Sequence, residues 1–101
     1  ITGSGLPGNI KRIIPDGLMA KIDLTGHKIP SIFNFIMKLG NVSIEEMYST
    51  FNMGIGFIVI VDKSDAMPVI QMFKEHGENA FEIGSIEISS NGEKVHIDYL
   101  L

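Results

Sequence analysis

The sequence predicts an α+β fold, an α/β sandwich with helices packed on one face of a mixed β-sheet. Three observations carry that expectation. "LMAKIDL" alternates apolar and polar residues with the period of a half-buried strand. "SIFNFIMKLG" and "DAMPVIQMFKEHG" place apolar residues at helical spacing and end on glycine. The C-terminal stretches "AFEIGSIEIS" and "KVHIDYL" read as two further strands. Strands interleaved with helices in this order have to segregate into a sheet layer and a helical layer.

Each element has a local justification. "ITGSGLPGN" opens the chain as a small-residue loop, and Asn9 to Ile14 form a short helix stopped by the Pro15-Asp16-Gly17 turn. In the first strand Leu18, Ala20, Ile22 and Leu24 face one side, against Met19, Lys21 and Asp23. Pro30 suits the first turn of the next helix, whose apolar face carries Ile32, Phe33, Ile36, Met37 and Leu39. Gly40 is expected to end it in the left-handed conformation. Ser43 stands three residues before Glu46, the capping-box spacing, and starts a second helix.

"MGIGFIVIVD" has little polar alternation and reads as a strand buried on both faces. Ser64 or Asp65 caps the third long apolar segment, with Pro68 in its first turn and Gly77 at its end. The last two strands are joined by "SSNGE", where Asn91-Gly92 is a strong hairpin signal.

Composition narrows the function. A chain of 101 residues, 45% hydrophobic and 20% charged, supports one packed domain rather than disorder. The net charge of −4 and the single adjacent cationic pair, Lys11-Arg12, argue against a nucleic-acid surface. There is no cysteine, which removes disulfides, thiolate metal sites and cysteine nucleophiles. The apolar run from Ile55 to Val61, broken by Gly56, is too short to span a bilayer. No signal-peptide pattern opens the chain, so a cytoplasmic location without membrane partners is expected. His27, His76 and His96 show no ligand spacing, and Glu45-Glu46 suits a helix start better than acid–base work, so no metal site is expected. The six methionines read as core gap-fillers. No catalytic residue can be named.

The opening loop holds a literal GxGxxG at Gly3, Gly5 and Gly8, with Asp23 twenty residues beyond Gly3. A dinucleotide fingerprint also requires a strand entering the loop and a full helix leaving it. No strand precedes Gly3, and Pro15 cuts the helix short, so that reading fails on context. Two readings stay open: a loop offering backbone N–H groups to a phosphate, or glycines that only permit a tight turn.

Two stretches taken together, "ITGSGLPGNIKRIIPDGL" and "EEMYSTFNMGIGFIVIV", resemble the aminoimidazole ribonucleotide synthase (phosphoribosylformylglycinamidine cyclo-ligase) family. That family carries His-Ile-Thr-Gly-Gly-Gly-Leu, Glu-Asn-Ile-Pro-Arg and a Leu-Pro turn, then Met-Tyr-Arg-Thr-Phe-Asn-Met/Cys-Gly-hydrophobic-Gly. Ile1, Thr2, Gly3, Gly5, Leu6, Asn9, Ile10, Arg12 and Pro15 match the first block. Met47, Tyr48, Thr50, Phe51, Asn52, Met53, Gly54 and Gly56 match the second. "HGENAFEIGSI" also resembles the family's penultimate strand region. Ser4 replaces the middle glycine, Gly8 a glutamate, Lys11 a proline and Ser49 an arginine, while His27 stands where an aromatic residue is usual.

The resemblance implies a C-terminal part of an enzyme that uses ATP to close formylglycinamidine ribonucleotide into aminoimidazole ribonucleotide, releasing ADP and phosphate. It places the family's loop histidine just before Ile1. The chain is therefore expected to be one domain, residues 1–101, without its ATP-binding N-terminal domain, and inactive by itself. ATP and Mg²⁺ are expected mainly on that missing domain, and the full-length enzyme is expected to be a homodimer. Thr2, Gly3, Ser4 and Gly5 are expected to line an interdomain cleft and bind substrate or phosphate. Asn9 and Arg12 either orient the loop or touch substrate, and a bulky residue at Gly5 is expected to raise the substrate KM or abolish turnover. Asn52 is a further binding candidate, with helix termination and tight packing as the alternative for its segment. Other readings are a related ATP-using protein, such as a selenophosphate synthetase or thiamine-phosphate kinase, or a stand-alone α+β ligand-binding or regulatory module.

Overall fold

The computed structural model describes residues 1–99, so Leu100 of the last expected strand lies outside them. A three-stranded mixed sheet is centred on β1 (Leu18–Asp23). On one side β1 pairs antiparallel with β2 (Gly84–Ile88), and on the other it pairs parallel with β3 (Val95–Asp98). The register aligns Ile86, Ala20 and Val95 in one row and Gly84, Ile22 and Ile97 in the next. Ala20 and Ile22 are buried, while Lys21 and Asp23 between them are exposed. The period-2 reading of this strand therefore gives the correct core face. The α+β class with a mixed sheet is the observed one.

The expected hairpin does not form, because β2 and β3 lie on opposite edges of β1. The Asn91-Gly92 turn is present, with the Glu93 amide donating to Asn91 Oδ1 at 3.0 Å. It carries the chain around the end of β1 instead: Ser89 N–H donates to the Gly17 carbonyl and Ala20 N–H to the Lys94 carbonyl. Segment 89–94 spans two strand spacings of roughly 4.8 Å each, a width that a two-residue turn cannot bridge.

The segment expected to be a doubly buried strand is irregular. Ile55 and Ile58 pack against the core, but Phe57 is 85% exposed and Val59, Ile60 and Val61 are also exposed. Its composition suits burial, yet both edges of β1 are occupied and no strand among the described residues pairs with it.

Among the described residues four helices complete the fold: α1 (Gly5–Lys11), α2 (Ser31–Gly40), α3 (Ile44–Thr50) and α4 (Ala66–Glu75). The first begins four residues before the expected Asn9, since Leu6 and Ile10 are drawn into the core despite a Gly- and Pro-rich sequence. Pro30 sits at the N-cap of α2, and the left-handed residue at its end is Asn41 rather than Gly40. Only Phe33, Ile36 and Met37 of its apolar face pack on the core, while Ile32 and Leu39 are exposed. Ser43 caps α3 as expected, its Oγ accepting from Glu46 N–H at 3.2 Å. A 3₁₀ turn, Lys63–Asp65, precedes α4, which Gly77 stops with φ 84°. No α4 side chain joins the core cluster. Among the described residues no helix is long and apolar enough to cross a membrane.

The core comprises Leu6, Ile10, Ile14, Ala20, Ile22, Leu24, Met47, Tyr48 and Met53. Of the six methionines, Met47 and Met53 are fully buried, but Met67 and Met72 of α4 are exposed, which corrects the uniform core reading. Tyr48 stacks on Tyr99 with ring centroids 4.5 Å apart. Burial, and then the neighbouring Tyr99 phenol, raise the Tyr48 pKa above the ordinary tyrosine value. The folded state thus holds this proton more tightly than the unfolded chain. Stability is expected to fall as pH rises through about 10. Thermal unfolding between about pH 9 and 11 checks this. Tyr48→Phe should show a shallower loss, and equal slopes for the two proteins would refute the assignment.

Candidate functional site

The glycine loop is held to the rest of the fold from two directions. Thr2 N–H donates to the Thr50 carbonyl at the end of α3 at 3.0 Å. From within α1, Asn9 Nδ2 donates to the Gly3 carbonyl at 3.2 Å and to the Gly5 carbonyl at 2.7 Å. Arg12 Nη1 in turn donates to Asn9 Oδ1 at 3.2 Å, which fixes the amide's orientation. Of the two expectations for Asn9 and Arg12, the loop-orienting role is the one with visible geometry.

Within the loop the residues divide. Ser4 and Gly5 are consecutive left-handed residues, with φ 70° and 60°. Gly5 is buried, and a Cβ there would overlap the Tyr48 carbonyl oxygen, so this glycine serves close packing of α1 on α3. A bulky residue at Gly5 therefore tests folding before it tests substrate binding. Gly3 and Ser4 are exposed, and nothing lies within 4 Å of a Cβ built at Gly3. The Gly5 amide donates to the Thr2 carbonyl at 3.2 Å. Among the described residues the Gly3 and Ser4 amides have no such partner. Thr2 Oγ1 is buried with no hydrogen-bond partner there. A buried hydroxyl left unpaired is costly, so this atom is the polar group in the loop most in need of a ligand or solvent contact. The unpaired groups of the loop are therefore two amides and one enclosed hydroxyl, all able to donate to an oxyanion.

Asn52 follows α3 by two residues and turns back on itself. Its Oδ1 accepts from Gly54 N–H at 2.9 Å, and the Met53 between them has φ 53° and is fully buried. His27 Nε2 lies 3.0 Å from the Met53 carbonyl, and its ring stacks on Phe81. The structure thus gives Asn52 a turn-forming role, and it brings Thr2, Gly3, Ser4, Gly5, Asn9 and Arg12 together without a direct bond to Asn52. Sequence reasoning missed His27 and Tyr48 as supports of this region. The His27–Met53 contact joins residues 26 apart, and no local pattern marks it. A hollow of about 520 Å³ at the start of α2, lined by His27, Lys28 and Asn34 among others, contains none of the expected site residues. Among the described residues no three carboxylate or imidazole groups cluster as a metal site would need.

Comparison with known proteins gives a consistent result. The family model described as "AIR synthase related protein, C-terminal domain" matches residues 1–97. Proteins named phosphoribosylformylglycinamidine cyclo-ligase are similar over nearly the whole chain. The one from Thermoanaerobacter pseudethanolicus is 48% identical over 92 residues, covering 91% of this chain and 27% of the relative. That from Myxococcus xanthus is 42% identical over 98 residues, covering 97% and 28%. That from Staphylococcus carnosus is 42% identical over 91 residues, covering 90% and 26%. The chain spans about a quarter of the length of the curated relatives it matches.

Proposed function

The chain belongs to the AIR synthase related C-terminal domain family, and from that membership we propose that it forms one wall of the active site of an ATP-dependent cyclo-ligase. The reaction is closure of formylglycinamidine ribonucleotide to aminoimidazole ribonucleotide. ATP phosphorylates the amide oxygen, the substrate's own nitrogen attacks that carbon, and phosphate departs as the ring forms. Such a step needs positioning and oriented donors more than a side-chain nucleophile. The observation that carries this reading is the braced loop, with the Gly3 and Ser4 amides and the Thr2 hydroxyl left unpaired. In this proposal those groups hold a phosphate or phosphoryl oxygen of the phosphoribosyl substrate, while Asn9 and Arg12 keep the loop in shape. The relatives named as cyclo-ligases favour this enzyme over a stand-alone binding module.

We assign ATP and Mg²⁺ to polypeptide beyond this chain, in an N-terminal domain of a cytoplasmic homodimer. A surplus of open surface supports such a partner. The chain exposes 7148 Å², where a folded chain of 11.1 kDa exposes about 5,700 Å². The excess is larger than the roughly 800 Å² each partner gives to a standard interface. Part of that surface is apolar: Phe57, Val59, Ile60 and Val61 are exposed, and no α4 side chain packs on the core cluster.

Thr2→Val, made in the longer enzyme containing this domain, tests the loop's role. It removes the unpaired hydroxyl at nearly constant volume, so the unfolding midpoint should hold or rise slightly. KM for the phosphoribosyl substrate should rise about tenfold, the loss of one good hydrogen bond to an anion. Unchanged kinetics would remove the loop from the site.

A further inference from the structure

Gly8 sits in α1, with its N–H donating to the Ser4 carbonyl at 3.1 Å. A Cβ built on Gly8 would overlap the Ser4 Cβ and lie 3.2 Å from the Ser4 hydroxyl oxygen. Residues four apart on a regular helix keep their Cβ atoms about 5–6 Å apart, so helical geometry alone does not cause this conflict. It comes from Ser4, whose φ of 70° folds its side chain over the first turn of α1. Apart from its chain neighbours and the helix's own backbone, that serine is the one group within 4 Å of a Cβ at position 8.

We infer that positions 4 and 8 form an exclusive steric pair: only one of them can carry a side chain, and in this protein it is Ser4. The two departures from the resembled loop pattern, serine at 4 and glycine at 8, are then a single exchange. Gly8 is a positioning residue for Ser4, since its missing side chain gives the serine its place. The consequence for the loop is chemical. Beside the open Gly3 and Ser4 amides stands a neutral hydroxyl, which both donates and accepts, and no carboxylate at position 8 repels an anion. The steric pairing does not depend on the proposed activity.

A four-protein cycle tests the pairing by the sign of one substitution: the native chain, Gly8→Ala, Ser4→Gly, and the double variant. Alanine normally stabilises a helix interior relative to glycine. With Ser4 present, Gly8→Ala is expected to lower the thermal midpoint by about 4–8 °C, or to prevent folding. With Gly at position 4 the same change should raise the midpoint. The reciprocal chain, Ser4→Gly with Gly8→Glu, should also fold. The inference is overturned if Gly8→Ala raises the midpoint beside Ser4, if it shifts both backgrounds equally, or if the double variant fails to fold where Ser4→Gly alone folds.

Discussion

Gly5→Ala is expected to destabilise this protein by about 3 kcal/mol or more, a large share of the roughly 5–15 kcal/mol that a whole domain holds. Two costs combine. A Cβ on residue 5 would overlap the Tyr48 carbonyl oxygen and lie 2.9 Å from two carbonyl carbons of the α3 backbone. These are backbone atoms, which cannot rotate away as a side-chain end can. In addition, residue 5 has φ 60°, where an L side chain costs about 1–2 kcal/mol. Relief requires α1 to move off α3, which would open the cluster of Leu6, Ile10, Met47 and Tyr48. Urea unfolding of the purified protein measures the loss. Gly3→Ala is the internal control, with open space at its Cβ position and an expected change within about 0.5 kcal/mol. A Gly5→Ala protein as stable as the Gly3→Ala protein would show that the α1–α3 approach is looser than described.

Met47→Ala should cost about 2–5 kcal/mol. Met47 is fully buried, on the α3 turn that supports the loop through Tyr48 and Thr50. Leu24 and Met53 of the same core cluster are also fully enclosed, and a close-packed interior of this kind relaxes only partly into the space left behind. The matching control is Met67→Ala on α4, where the side chain is 68% exposed and alanine is a good helix former. That change should stay within about 0.5 kcal/mol. Similar losses at both positions would mean that α4 packs into the core, contrary to the arrangement described.

These pairs show which parts of the fold were readable from local sequence. Alternation in "LMAKIDL" marks β1 and its buried face, and Ser43 marks the start of α3 through a bond three residues away. Gly77 marks the end of α4 for the same kind of reason. In each case the energy that decides the element is local, a period or a cap. The candidate loop was also legible as a group, because Thr2 to Gly5, Asn9 and Arg12 lie within one turn and one short helix. Its division of labour was not. Gly3 and Gly5 look alike in sequence, yet one faces open space and the other a carbonyl of α3 more than forty residues away.

The sequence by itself determined the α+β class, the central strand, most helix positions and the family likeness, all of which rest on patterns within a few residues. Tertiary structure alone decided that β2 and β3 straddle β1 rather than pair with each other. It also decided that Phe57, Val59, Ile60 and Val61 stay exposed, that Gly5 is a packing glycine, and that Ser4 excludes a side chain at Gly8. Strand partners and close approaches depend on which distant surfaces meet, and a composition suited to burial does not supply the surface that would bury it.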